Sequence, residues 1–221
     1  MTDGDEGDTD GNGSGPDGDR GSRDGHGSGT DSHDGDSDGG NDLTWQTTES
    51  GIDYACPGFQ VRRDDVVLPD GTETDFHYVD EPPAVVVLPF TPEGDVVVIE
   101  EWRQAVGRIN RGLPAGSAEP DDDDLVAVAH RELTEETGYE AETVEKLFES
   151  EPANGLLNSA HHYFVARGCT PTAEQNLDFN ESIRVDLVDY DDLLGEVVDG
   201  DIRDGRAILG LTRYELVDRW S

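Results

Sequence analysis

Two short valine-rich runs, Ala-Val-Val-Val-Leu-Pro-Phe at residues 84–90 and Asp-Val-Val-Val-Ile-Glu at residues 95–100, are joined by only Thr91-Pro92-Glu93-Gly94. Both read as buried strands. A strand that is apolar at nearly every position needs cover on both faces, so the sheet must lie between two layers. Three helical patterns can supply them. The first runs from about Asp123 to Thr137, is entered through the acidic cluster at residues 121–124 and ends at Gly138, a natural C-cap. The others cover residues 191–198 and 204–219, the last with Ile208, Leu209, Leu211, Leu216 and Val217 on its apolar face. Strands at residues 143–149, 162–166 and 183–188 lie between them. Strands and helices interleaved in this order predict an α/β/α sandwich around a mixed sheet.

Upstream, residues 61–68 and 72–79 flank Pro69-Asp70-Gly71 and read as an antiparallel hairpin. Residues 43–79 are thus a short N-terminal β-rich segment, and a single domain spans residues 80–221. Residues 1–42 hold 13 glycines, 13 acidic side chains and no apolar side chain except Met1. Such a stretch cannot offset the entropy of folding, and it reads as a disordered acidic tail. Within it, Asp34-Gly35-Asp36-Ser37-Asp38-Gly39 opens like an EF-hand loop, but Trp45 stands where the loop needs its bidentate Glu. A solvated acidic linker is the reading taken.

The acidity is not confined to the tail. Residues 43–221 carry 39 acidic against 13 basic side chains, a formal charge of −26, and Lys146 is the chain's single lysine. In molar salt the Debye length falls to roughly 3 Å and most of the self-repulsion is screened. The simplest reading is a cytoplasmic protein of a salt-loving organism. So acidic a surface argues against nucleic-acid binding, which needs clustered Lys and Arg. Cys56 and Cys169 are expected to be free thiols. Neither a long apolar run nor a basic leader followed by one is present, so membrane insertion is not expected.

Chemistry concentrates on the first predicted helix. Residues three and four apart share a helix face, so Glu132, Glu135 and Glu136 project within one arc. Like charges this close destabilise a bare helix and call for a compensating cation, which is either Arg131 or a divalent metal. Hard cations such as Mg²⁺ favour carboxylate oxygens and keep positions open for phosphate oxygens. On spacing alone, an ordinary acidic helix face stays open as the alternative.

The stretch from Gly116 to Tyr139 resembles the Nudix box, G-x5-E-x7-R-E-U-x-E-E-x-G-U. Arg131-Glu132-Leu133-Thr134-Glu135-Glu136-Thr137-Gly138-Tyr139 matches its second half throughout. Counted back from Arg131, Asp123 stands where the family has Glu and Gly116 lies one residue early, which reads as a one-residue insertion in the loop 117–122. The resemblance implies a Nudix-type sandwich and hydrolysis of a diphosphate with Mg²⁺ or Mn²⁺. It implies that Glu132, Glu135 and Glu136 bind metal together with the carbonyl of Ala115, and that Arg131 orients a carboxylate.

Glu101-Trp102-Arg103-Gln104, followed by Gly112-Leu113-Pro114-Ala115-Gly116, is similar to the corresponding run of ADP-ribose pyrophosphatases, with Trp102 and Gly112 departing from it. This implies a small-molecule nucleotide substrate, with Arg103 in contact with it. Pro152 lies near a proline of that subfamily. Residues 178–185 resemble its mobile acidic loop, which makes Glu181 a further ligand or the general base, against a solvated loop carboxylate. The N-terminal segment of such enzymes contributes to a homodimer, and Trp45, Tyr54, Phe59 and Phe76 lie in it. His161 and His162 precede a strand, where a core histidine is expected rather than a ligand. ADP-ribose or a related nucleotide sugar is the leading substrate. NADH, a dinucleoside polyphosphate, an oxidised nucleotide, or a sensor that binds without cutting are the alternatives.

Overall fold

The computed structural model describes residues 43–219, so the acidic tail and its EF-hand-like opening lie outside the described residues. The N-terminal segment forms its own antiparallel sheet of β1 (Gln46–Ala55), β2 (Gln60–Val67) and β3 (Glu73–Asp80). β2 and β3 are the expected hairpin. Its turn is closed by the Gly71 N–H on the Leu68 carbonyl at 2.9 Å, with Gly71 at φ 85°, a conformation that favours glycine. β1 was not expected. All ten of its residues are exposed, so burial imposes no alternation of apolar and polar residues to read.

The second sheet carries the two valine-rich strands, β4 (Ala84–Phe90) and β5 (Val96–Arg103). After them come β6 (Arg108–Gly112), β7 (Ala115–Ser117), helix α1 (Leu125–Thr137), β8 (Tyr139–Glu140), β9 (Thr143–Ser150), β10 (His161–Arg167), β11 (Thr170–Pro171), β12 (Ile183–Val188) and helices α2 (Tyr190–Asp199) and α3 (Gly205–Arg213). The strand order is β12-β5-β4-β10-β9, with β6 on β5, β7 on β4 and a separate short β8–β11 pair. β4 and β10 run parallel and the other pairs antiparallel, so the sheet is mixed.

Cover on both faces is met as the valine runs require. Val85, Val87 and Val97 pack with Val128, Ala129 and Leu133 of α1, while Val86, Leu88, Val96 and Val98 pack with Leu193 of α2 and Ala207 and Leu211 of α3. Cys169 is buried in the α1 layer, and both cysteines are free. Between β4 and β5 the register holds a single pair, Phe90 with Val96. Beyond it β5 takes β6 as its neighbour and β4 takes β7, with Gly112 opposite Ile99 and Ala115 opposite Val86. The chain at residues 112–115 therefore steps across from one strand to the other, and this crossing builds the site.

α1 starts two residues later than the sequence predicts. Asp124 is its N-cap and accepts the Val126 N–H at 2.9 Å, and Gly138 closes it at φ 74°. The last helix differs more. It ends at Arg213 and continues as a wide π turn over Tyr214–Asp218, and its buried residues are Ala207, Gly210, Leu211 and Tyr214, whereas Leu209, Leu216 and Val217 are exposed. Small residues decide this face: a Cβ on Gly210 would come within 3.2 Å of Leu113 and 3.3 Å of Tyr163. No helix among the described residues is long and apolar enough to cross a membrane.

Candidate active site

Val128, Ala129 and Leu133 anchor α1 on the sheet. The same helix faces bring Glu132 and Glu136 inward, 8% and 3% exposed, while Glu135 remains half-buried. Burial raises the Glu132 carboxyl to about 7. Arg131 opposes that shift, and Glu135 and Glu181 add to it. Burial raises Glu136 further, to about 8, against the Ala115 hydrogen bond and with the charges of Glu132, Glu181 and Glu101. The Ala115 N–H donates to Glu136 Oε2 at 2.9 Å, which ties α1 to the crossing segment. Gly116 is where the approach is tightest, since a Cβ there would collide with the Glu132 carboxylate.

Arg131 stands among carboxylates. Its guanidinium lies 2.9 Å from Glu132, 3.2 Å from Glu135 and 3.3 Å from Asp122, and it reaches the Ser117 carbonyl at 3.4 Å. The loop distinguishes its two neighbouring acidic residues. Asp122 pairs with Arg131 and caps its own loop by accepting the Glu119 N–H at 2.8 Å, whereas Asp123 is exposed. Counted forward from Gly116, Asp122 falls at the acidic position that follows x5 of the box, which leaves eight residues rather than seven before Arg131.

The structure brings Glu181 toward this group: its charge raises the proton affinity of Glu132, Glu136 and Glu101 alike. The Glu181 carboxylate accepts the Asp178 N–H at 2.9 Å. Arg103, at the end of β5, lies 2.6 Å from Glu101. Glu101 itself was missed as a site residue, although the alternation Val97, Ile99, Glu101 along β5 carries the signal for a buried carboxylate. Gln175 was missed as well. Its Nε2 donates to the Glu136 carbonyl at 2.6 Å, while the Asn176 N–H donates to the Glu135 carbonyl at 2.9 Å, so this loop covers the end of α1. Nothing in the local sequence marks it.

Other expected residues lie elsewhere. Pro152 is exposed in the turn after β9, beside Glu151, which lines a groove with Phe76, Tyr78, Asn154, Leu157 and Asn158. Trp45 meets Phe76 edge-on with centroids 5.9 Å apart, and Tyr54 lies beside Phe59 at 6.2 Å. His161 and His162 are both half-buried, with their Nδ1 atoms lacking a hydrogen bond, and burial lowers the pKa of each.

Among the described residues, no three His, Cys, Asp or Glu side chains are gathered closely enough to hold an ion as arranged. Arg131 is paired with Glu132 and Glu135, and Glu136 is turned onto Ala115. The chemistry of the donors nevertheless fits a hard divalent cation. Two buried carboxylates repel each other and are held toward their protonated forms by burial and by further negative charge, and a cation would remove that penalty.

A model of the NUDIX domain matches residues 80–208. The chain belongs to the Nudix family. This Nudix hydrolase is 32% identical over 155 residues to the methanol dehydrogenase activator of Bacillus methanolicus, covering 69% of this chain and 83% of that one. It is 30% identical over 154 residues to the ADP-ribose pyrophosphatase of Bacillus subtilis (strain 168), again 69% and 83% of the two chains. A solved structure of an ADP compounds hydrolase shares the fold at TM-score 0.68 and 19% identity, covering 78% of this chain and 92% of that one.

Proposed function

We propose that this Nudix hydrolase cleaves the diphosphate of ADP-ribose or a related nucleotide sugar, giving a nucleoside monophosphate and a sugar phosphate. The observation that carries the reading is the buried pair Glu132 and Glu136, within the field of Glu181 and beside a crossing strand at Ala115. Glu132, Glu135, Glu136 and the Ala115 carbonyl would hold Mg²⁺ or Mn²⁺, which when bound offsets charge on the diphosphate oxygens and eases deprotonation of water. Arg131 orients Glu132 and Glu135. Glu181 takes the proton of the attacking water as general base, a P–O bond of the diphosphate breaks, and Arg103 holds phosphate oxygens of the substrate. Similarity to an ADP-ribose pyrophosphatase supports the substrate class.

The test is a substrate panel in molar KCl with Mg²⁺ or Mn²⁺: ADP-ribose, other nucleotide sugars, NADH, dinucleoside polyphosphates, coenzyme A and oxidised nucleotides. AMP and ribose phosphate from ADP-ribose are expected. A faster reaction with another diphosphate would reassign the substrate, and binding of ADP-ribose without any turnover would mark a sensor.

The same reading includes a homodimer through β1–β3. Support comes from the exposure of every residue of β1 and of the large apolar side chains Trp45, Ile52, Tyr54, Phe59 and Phe76. Sedimentation at high salt is expected to give twice the chain mass, and a monomer would refute it.

A further inference from the structure

Glu101 is 7% exposed, and its Oε2 is buried without a hydrogen bond. Arg103 Nη2 lies 2.6 Å from that oxygen, an ion contact whose direction does not make a hydrogen bond. Burial pushes the Glu101 carboxyl up. Arg103 and Arg206 oppose the shift, and Glu181 and Asp204 reinforce it. Replacing a buried ion pair by apolar groups is often neutral or stabilising, so this arrangement is poorly accounted for by stability alone.

A guanidinium near several carboxylates tends to be captured by them. Arg131 is the example, held by Glu132, Glu135 and Asp122. Arg103, its side chain one-third exposed at 33%, pairs among the described residues with Glu101 alone. One corner of its fork is held from below, which leaves further N–H groups for a bidentate contact with phosphate oxygens.

We propose that Glu101 is a positioning residue for Arg103: it anchors one end of the guanidinium, keeps it off the neighbouring carboxylates and presets it for the diphosphate of the substrate. The proposal rests on Arg103 as a substrate-binding residue of a nucleotide-sugar hydrolase.

The experiment compares Glu101→Leu, Arg103→Ala and the double variant of the full chain in molar KCl with Mg²⁺. It measures calorimetric affinity for the α,β-methylene analogue of ADP-ribose, KM and kcat with ADP-ribose, and the melting temperature. Each single variant is expected to bind about tenfold more weakly and to raise KM similarly with kcat within about twofold, and the double variant to be no worse than Arg103→Ala. Glu101→Gln, which keeps an acceptor oxygen, should recover part of the loss, and the double variant, which removes both charges, should melt no lower than Glu101→Leu. Additive losses, or a lower melting temperature with unchanged affinity, would overturn the proposal alone. Wild-type affinity in Arg103→Ala would remove Arg103 from the site and the proposal with it. A wild-type chain that does not bind the analogue would instead refute the nucleotide-sugar reading on which both rest.

Discussion

Glu136 accepts the backbone N–H of Ala115 at 2.9 Å, a bond from the buried face of α1 to the segment that crosses between β5 and β4. It satisfies part of a carboxylate that is only 3% exposed, and it fixes the helix carboxylates relative to the Ala115 backbone. The site is therefore a joint between a helix and a split in the sheet.

Glu136→Gln keeps an acceptor oxygen for Ala115 but removes the charge. Turnover is expected to fall by about a thousandfold or more with little change in the circular dichroism spectrum. Normal hydrolysis by this variant would refute the metal-binding role of the helix face.

Gly116→Ala places a methyl group against the Glu132 carboxylate. Because the collision is with a carboxylate that must hold its place, kcat/KM is expected to fall by about two orders of magnitude. The fold should survive, since the far end of a side chain can shift. Wild-type kcat/KM would show that Glu132 is not held where it functions.

Asp122 and Asp123 are neighbours with opposite expectations. Asp122→Asn weakens the contact with Arg131 at 3.3 Å and frees Arg131 to settle on Glu132 and Glu135, so activity should fall by about tenfold. Asp123→Asn, on an exposed residue, should change nothing measurable. Paired kinetic measurements decide, and the reverse ranking would give the supporting role to Asp123.

Glu132 and Glu136 bind protons more tightly in the folded chain, at about 7 and about 8, than at their ordinary value of 4.5. From pH 4.5 upward the folded state thus holds more protons than the unfolded one. The stability contributed by these two groups is full below that range, falls as pH rises through the folded values and is constant above them. A cation requires the ionised forms, so Mg²⁺ should raise the melting temperature more at about pH 8.5 than at about pH 6. Thermal melts in molar KCl, with and without Mg²⁺, check both signs, and Glu136→Gln should flatten the metal-free pH dependence. A larger Mg²⁺ shift at the lower pH would contradict the account.

Local pattern carried much of this in one dimension. Three consecutive valines in each of two runs required a sheet covered on both faces, the acidic cluster at residues 121–124 and Gly138 bounded α1 within two residues, and i, i+3, i+4 spacing set Glu132, Glu135 and Glu136 together. Those properties depend on neighbours in sequence, which periodicity and capping report. β1 was invisible because no face of it is buried, and α3 was misread because Ala207 and Gly210 pack by being small. Only the tertiary structure could decide that Asp122 rather than Asp123 meets Arg131, that Gln175 closes over α1, that Glu181 lies within the field of the helix carboxylates, and that Glu101 is buried against Arg103. Each depends on where β4 and β5 part and how the loops return over the opening, contacts whose partners are remote in sequence and leave no local period.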